Sequence, residues 1–293
     1  MNPPAIDSPG APRPAARPRL VALDLDGTCL DEHQVLDPRT ERAVRRLAGD
    51  GVHVVLATGR MYRSALPWAS RLGIRDPLIC YQGAVTRALP GAAAPLLDGV
   101  PLGELLGEEP LSGEVAGRVV SAARTEGWHR QAYRDEQLLC EEDRAEAHLY
   151  ARIAQVPITF VPDLLAAVEL GSTKIVCVID DPGETARAES ALRALVGEGA
   201  RVTRSLPPFV EVTSTRASKG QALSALCRHL EIDLTATLAV GDAANDTDML
   251  SAAGFAVAVA GAQPDVLAAA DALCAPPRGG GVAAVIAAVF PTP

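Results

Sequence analysis

Short apolar runs alternate with segments of helical periodicity, both near the beginning of the chain and near its end. The apolar runs have the length and the bounded ends of buried strands, and they cover residues 20–23, 52–56, 78–81, 237–240 and 255–259. Helical patterns occupy the intervals, at residues 38–51, in a stretch ending at Leu72, at 218–229 and at 282–289. Strands that alternate with helices in this way predict a parallel sheet with helices on its faces.

The alternation is lost in the middle of the chain, where strand-like and helix-like segments are mixed. The segments that can be assigned are strands at residues 175–179 and 209–212 and helices near 111–125 and 184–196. We therefore predict a separate α+β unit of residues 85–212, inserted into a first domain that residues 19–84 and 213–293 form together.

The N-terminal segment and the cysteines indicate the cellular compartment of the protein. Residues 1–18 contain six prolines and no apolar core of a secretory signal, so we predict a disordered, extended tail rather than an export signal. No apolar run is long enough for a transmembrane helix. Six scattered cysteines without a CxxC pair favour buried thiols in a reducing compartment. The expected location is the cytoplasm, without a membrane partner.

The composition is that of an acidic globular protein. Of its 293 residues, 48% are hydrophobic and 22% charged, which suits a buried core and not a disordered chain. A net charge of −9 and a pI of about 5.1 disfavour a broad contact with nucleic-acid phosphates. We expect no nucleic-acid partner, whereas a local pocket for one phosphate group is compatible with this charge. The sequence leaves the choice between a monomer and a homodimer open.

Two carboxylates follow the first predicted strand directly, in Asp24-Leu25-Asp26-Gly27-Thr28. Ligands of an open parallel sheet bind outside the carboxyl ends of its strands, where these residues fall. One carboxylate is suited to attack phosphorus and form an aspartyl-phosphate. The other is suited to protonate the leaving alcohol and later to deprotonate water. A calcium-type or purely structural acidic turn is the alternative for this segment taken alone.

Positive charge to offset these carboxylates is predicted in two places. Lys219 begins a helix, where its ammonium can reach a phosphate near the helix N-terminus, although a lone lysine there is usually a solvated surface residue. Asp242 and Asp246 follow another strand and so reach the same edge of the sheet. Oxygen ligands without a nearby His or Cys cluster suit Mg²⁺, the predicted cofactor. A turn with an Asp N-cap is the plainer alternative.

A hydroxyl and a glycine N–H follow the second strand, at Thr58 and Gly59. Both kinds of group hold phosphate oxygens in proteins, whereas an ordinary strand-to-helix turn is the simpler interpretation of this pair alone. Four polar segments thus fall in order at one edge of the predicted sheet. Their joint occurrence predicts a site for phosphoryl transfer.

These four segments resemble the four motifs of the haloacid dehalogenase superfamily. The form Thr58-Gly59-Arg60, residues 81–84 and the large insertion before Lys219 are similar to its Cof-type branch, whose members are hydrolases with a C2-type cap. The resemblance covers nearly all of the chain beyond the tail, although the insertion matches in placement and size rather than by motif. It implies an α/β fold, a Rossmann-like parallel-sheet core with an inserted α+β cap domain.

The resemblance also implies a role for each motif residue. Asp24 would be the nucleophile and a metal ligand, and Asp26 the acid/base, ligating Mg²⁺ through its backbone carbonyl. Asp242 would be the third protein ligand of the metal, with Asp246 in the shell behind it. The residues of the phosphate pocket would be Thr58, Gly59, Lys219 and Asn245.

One departure from the Cof-type pattern concerns Gln82, because the branch usually has Asn there, one methylene shorter.

The favoured function is a Mg²⁺-dependent phosphatase of a small phosphorylated metabolite, a sugar phosphate or a phosphorylated cofactor. A cap that closes over the site would exclude phosphoproteins. One alternative is a phosphomutase or phosphotransferase that protects the aspartyl-phosphate from water. Another is a non-catalytic phosphate-binding module.

Overall fold

The computed structural model of the protein describes residues 2–204 and 208–291. Backbone contacts divide the chain into two compact units. The first contains the chain up to Thr58, Ala65–Leu106 and the chain from Ser218 onward, and the second contains Gly59–Ser64 and Gly107–Ala217. In the part of the chain that the structure describes, no helix is long and apolar enough to cross a membrane.

The strands of both units are short, mostly three to five residues. In chain order they are β1 (Leu20–Leu23), β2 (His53–Leu56), β3 (Leu78–Cys80), β4 (Val85–Arg87), β5 (Leu96–Leu97), β6 (Val100–Pro101), β7 (Leu105–Glu108), β8 (His129–Arg134), β9 (Gln137–Cys140), β10 (Ile158–Phe160), β11 (Lys174–Val178), β12 (Arg201–Arg204), β13 (Phe209–Thr213), β14 (Thr237–Gly241), β15 (Phe255–Val259) and β16 (Ala272–Cys274).

Several helices begin with ordinary capping signals, such as Asp37 before Pro38 and Ser112 before Gly113. In chain order they are α1 (Pro38–Gly49), α2 (Tyr62–Leu72), α3 (Gly113–Thr125), α4 (Ala145–Ala154), α5 (Leu164–Ala167), α6 (Pro182–Val196), α7 (Lys219–His229), α8 (Thr247–Ala252), α9 (Pro264–Ala268) and α10 (Gly281–Val289). Single 3-10 turns lie at Tyr81–Gly83, Gly197–Gly199, Leu234–Ala236, Ala244–Asp246 and Pro277–Gly279.

Five strands of the first unit form a parallel sheet in the order β16-β15-β14-β1-β2. The strands are nearly continuous apolar runs, as expected when both faces of a parallel sheet are covered. Leu223 of α7 and Met249 of α8 lie in one buried cluster with Leu20 and Ala22 of β1. The chain passes from β1 to β2 on one side and returns at β14 on the other, so β1 and β14 flank a topological switch point. The predicted α/β fold with a parallel-sheet core is confirmed.

The second unit is a mixed sheet with helices, which confirms the predicted α+β character of the inserted region. Its strand order is β10-β9-β8-β11-β13-β12, and only β9 and β10 pair in parallel among the described strands of this sheet. Helices α3 and α6 contribute Val119 and Leu192 to a buried cluster with Ile175 and Val212 of the sheet. On neighbouring strands, Lys174 and Glu211 form a buried ion pair.

The limits of the second unit differ from those predicted for the insertion. Residues 85–106 group with the first unit, because β4 pairs antiparallel with β3 and the Ala88 N–H donates to the Glu104 carbonyl at 2.8 Å. Strands of two or three residues are too short to show a hydrophobic period, so the sequence could not assign them. The domain limits at residues 84/85 and 212/213 remain predictions.

The N-terminal segment differs from the predicted disordered tail at residues 4–6. The Ile6 N–H donates to the Leu273 carbonyl at 2.7 Å, and the Leu273 N–H donates to the Pro4 carbonyl at 2.8 Å. Ile6 itself is buried. β16 lies at the edge of the parallel sheet, where unpaired backbone groups can bind any extended segment. The extended backbone that proline favours therefore suits this pairing.

Candidate active site

Asp24 directly follows β1, at the carboxyl end of that strand. Its N–H donates to the Val240 carbonyl at 3.0 Å, and its side chain is buried. Gly27 turns the chain with a φ of +87°, and a Cβ at this position would lie 2.2 Å from Asp242 Oδ2. Glycine is therefore required both for the backbone angle and for the approach of the second carboxylate.

Lys219 is the first residue of α7, and Ser218 caps that helix by accepting from the Gln221 N–H at 3.2 Å. The Lys219 Nζ donates to Asp24 Oδ1 at 2.6 Å and to Asp246 Oδ1 at 2.7 Å. Its side chain is fully buried. The alternative of a solvated surface lysine is therefore excluded.

Asp242 and Asp246 lie in the turn that follows β14. Asp246 Oδ2 accepts from the N–H groups of Asp242 and Ala243, both at 3.0 Å, and its side chain is buried. Thr28 Oγ1 donates to Asp242 Oδ1 at 2.7 Å. With both oxygens occupied by hydrogen bonds, Asp246 holds Lys219 and the turn in place. The sequence motif by itself assigned no role to Thr28, although its position beside the acidic pair was the available signal.

The carboxylates of Asp24, Asp242 and Asp246 form a compact cluster, with one oxygen of each within 4.8 Å of the others. Burial raises the pKa of Asp24 well above its ordinary value; Lys219 opposes this shift, and Asp246 and Asp242 add to it. Burial also raises the pKa of Asp242 to about 6, against the hydrogen bond from Thr28. Hard oxygen donors that repel one another at this spacing fit Mg²⁺.

The predicted site residues Asp26 and Gly59 lie outside this carboxylate cluster. The Asp26 side chain is exposed and accepts from Gln34 Nε2 at 3.2 Å. An exposed carboxyl group is accessible to water and to a ligand, as proton exchange requires. Gly59 begins the segment Gly59–Ser64, which groups with the second unit.

Thr58 and Asn245 are both linked to Gln82 in the turn after β3. The buried Thr58 donates its N–H to the Ile79 carbonyl at 2.8 Å and accepts from the Gln82 N–H at 3.1 Å. Asn245 Nδ2 donates to Gln82 Oε1 at 2.6 Å. The sequence singled out Gln82 as a departure from the Cof-type pattern, and the structure adds its amide pair with Asn245.

The parallel sheet carries a lysine-bound aspartate and an acidic cluster at its switch point. This arrangement fits the class of phosphoryl-transfer hydrolases. The family model described as haloacid dehalogenase-like hydrolase matches residues 21–286, and the chain belongs to this family. Its enzyme class is that of the phosphoric monoester hydrolases. The resemblance to the Cof-type branch is thereby confirmed.

Similar proteins are known by sequence and by structure. The chain is 30% identical to the HMP-PP phosphatase of Cronobacter sakazakii, over 85% of this chain and 87% of that protein. It is 28% identical to phosphatase YwpJ of Bacillus subtilis, over 87% and 94% of the two chains. A haloacid dehalogenase-like hydrolase from Bacteroides thetaiotaomicron superposes with a TM-score of 0.80 at 26% identity, covering 92% of this chain and 99% of that one.

Proposed function

We propose that the protein is a Mg²⁺-dependent phosphatase that hydrolyses a small phosphorylated metabolite through an aspartyl-phosphate on Asp24. A sugar phosphate or a phosphorylated cofactor is the proposed substrate class. The observation that carries this proposal is the buried Lys219 ammonium, bound to Asp24 and Asp246 at 2.6 and 2.7 Å. It keeps positive charge beside the proposed nucleophile, where a phosphate group needs it. Relatives named as phosphatases support the same assignment.

In the first half of the reaction, an Asp24 carboxylate oxygen attacks phosphorus and the bond to the leaving oxygen breaks. Asp26 gives its proton to that oxygen, so the alcohol leaves neutral. Lys219, the Thr58 hydroxyl and the Gly59 N–H hold the phosphoryl oxygens, and Asn245 supports this pocket. The product on the enzyme is an aspartyl-phosphate.

In the second half, Asp26 is a carboxylate and takes a proton from water as the water oxygen attacks phosphorus. The bond between Asp24 and phosphorus breaks, and inorganic phosphate is released. Asp26 is protonated again, which returns the site to its starting state. The exposure of the Asp26 side chain supports this exchange with water.

The carboxylates of Asp24 and Asp242 and the backbone carbonyl of Asp26 would hold the Mg²⁺ ion. When bound, the ion supplies positive charge that offsets the carboxylates and the phosphate. Asp246 would not bind the ion directly, since its oxygens already accept hydrogen bonds from Lys219 and two backbone N–H groups.

Hydrolysis of p-nitrophenyl phosphate tests the proposal, with Mg²⁺, with EDTA, and with an Asp24→Asn variant in Mg²⁺. We expect turnover to vanish in EDTA and to fall by about 1000-fold or more in Asp24→Asn. The control Asp50→Asn changes an exposed residue at the end of α1 and should keep full activity. Robust turnover by Asp24→Asn would overturn the mechanism.

A panel of phosphorylated metabolites and one phosphoprotein then tests the substrate class. Release of free phosphate without an acceptor supports hydrolysis, whereas phosphate transfer only to an added acceptor would indicate a phosphomutase or phosphotransferase. Efficient turnover of the phosphoprotein would contradict a small substrate.

A further inference from the structure

The turn after β3 is anchored to three segments of the candidate site. The Gln82 N–H donates to the Thr58 carbonyl at 3.1 Å. A Cβ on the next residue, Gly83, would lie 2.2 Å from the Ser218 carbonyl oxygen at the start of α7. The Gln82 side chain reaches Asn245 in the turn after β14. The turn is thus held against the segments that carry the proposed phosphate-binding groups.

The backbone of this turn is strained. Tyr81 and Gln82 have φ values of +51° and +59°, although neither is glycine. A left-handed conformation is unfavourable for a residue with a side chain, and such strain concentrates at functional sites. The three anchors described above offset this cost and fix the direction in which Gln82 leaves the backbone.

The oxygen and the nitrogen of the Gln82 side-chain amide differ in their hydrogen bonding within the protein. Gln82 Oε1 accepts from Asn245 Nδ2 at 2.6 Å. Within the described chain, Nε2 of the half-buried Gln82 has no protein acceptor. Because Oε1 faces Asn245, the N–H group of the planar Gln82 carboxamide that is anti to Oε1 points away from that residue. This N–H donor is therefore available to a ligand.

We propose that Gln82 is a ligand-binding residue of the phosphate pocket, and that Asn245 is a positioning residue that acts through it. Asn245 holds the Gln82 carboxamide, and the Nε2 N–H anti to Oε1 donates to a phosphoryl oxygen. The ligand class, inorganic phosphate or a phosphate monoester, rests on the proposed function. With the shorter Asn side chain at position 82, the 2.6 Å contact with Asn245 would be lost unless the backbone moved.

Calorimetric titration of the full-length protein with inorganic phosphate, in the presence of Mg²⁺, tests this role without requiring turnover. The variants are Gln82→Ala, Gln82→Gly, Asn245→Ala and Gln82→Ala/Asn245→Ala. Gln82→Gly suits the positive φ and protects the test against a folding defect, which circular dichroism monitors.

We expect both Gln82 variants to raise the Kd for phosphate roughly tenfold or more, the size of a lost hydrogen bond to a charged group. Asn245→Ala should raise the Kd less, and the double variant should be no weaker than Gln82→Ala, because Asn245 acts through Gln82. An unchanged Kd in folded Gln82→Gly, additive effects in the double variant, or no phosphate binding by the unaltered protein would each overturn the proposal. Binding that depends on Gln82 in a protein without phosphatase turnover would instead refute only the proposed function.

Discussion

The Lys219 ammonium lies 2.6 Å from Asp24 Oδ1, and both side chains are buried. Burial by itself lowers the pKa of Lys219, but Asp24 and Asp246 raise it by more, so the lysine stays charged. Burial raises the pKa of Asp24, and Lys219 opposes that shift. The two residues therefore depend on each other for their charge. Removing either one leaves the other as a buried charge with weaker compensation.

Replacing Lys219 by methionine keeps a similar volume but removes the only cation that Asp24 and Asp246 contact among the described residues. We expect the unfolding free energy to fall by roughly 3–5 kcal/mol without Mg²⁺ near neutral pH, measured by urea titration. Arg42→Met, at an exposed position of α1, is the control and should stay within about 0.5 kcal/mol of the unaltered protein. Equal stability of the two variants would contradict the ion pair.

The acidic cluster predicts an unusual dependence of stability on pH. The pKa of Asp242 is raised to about 6 in the folded protein, so the folded state binds this proton more tightly than the unfolded state. The unfolding free energy therefore rises as pH falls through the folded pKa. Without Mg²⁺, the melting temperature should rise between about pH 7.5 and about pH 5.5, relative to Asp242→Asn, which lacks this titration.

Mg²⁺ should oppose this trend, because it competes with protons for the same carboxylates. We expect saturating Mg²⁺ to raise the melting temperature, and to raise it more at about pH 7.5 than at about pH 5.5. Asp242→Asn should show a much smaller Mg²⁺ effect in the same thermal scans. A melting temperature that Mg²⁺ leaves unchanged would count against a metal at this cluster.

Gly27→Ala separates backbone strain from crowding in the site. Gly27 and Gly51 have similar φ values, +87° and +79°, but only a Cβ at Gly27 meets another residue, Asp242 Oδ2 at 2.2 Å. Both alanine variants should lose about 1–2 kcal/mol of unfolding free energy through the positive φ. Only Gly27→Ala should also lower kcat/KM, by about 100-fold, since Asp242 must move. Equal activity of the two variants would mean that the spacing tolerates a methyl group.

The second unit contains its own buried ion pair. Lys174 Nζ lies 2.9 Å from Glu211 Oε2, both side chains are buried, and the ammonium is 4.9 Å from the centre of the Tyr133 ring. Lys174→Met should lower the unfolding free energy by roughly 3–5 kcal/mol, because it leaves a buried carboxylate without its cation.

Adding Glu211→Gln to Lys174→Met removes the orphaned charge, and the double variant should recover most of the loss. Urea titration of the two single variants and the double variant measures the coupling, expected to exceed about 1 kcal/mol. Strict additivity would show that the two charges act independently.

Many residues of the site could be predicted because the signals that locate them lie close to them in the sequence. Asp24 and Asp242 come directly after apolar strands, and Lys219 follows the cap residue Ser218, so strand ends and a helix start could be located by periodicity and capping. β15 spans the predicted residues 255–259. A parallel sheet then brings the carboxyl ends of its strands to one edge, which is why widely separated motifs could be expected at one site.

Only the tertiary structure decided which side chains meet at that edge and in what state of charge. Thr28 and Asp242 are 214 residues apart, and Gln82 and Asn245 are 163 residues apart. The pairing of residues 4–6 with Leu273 likewise depends on an edge strand near the other end of the chain. The reason is physical: a sequence pattern reports the neighbours of a residue along the chain, whereas hydrogen bonds and burial depend on distances in space. For this protein the sequence determined the longer apolar strands, the periodic helices and the chemical groups of the site, and packing determined the contacts and the pKa values of those groups.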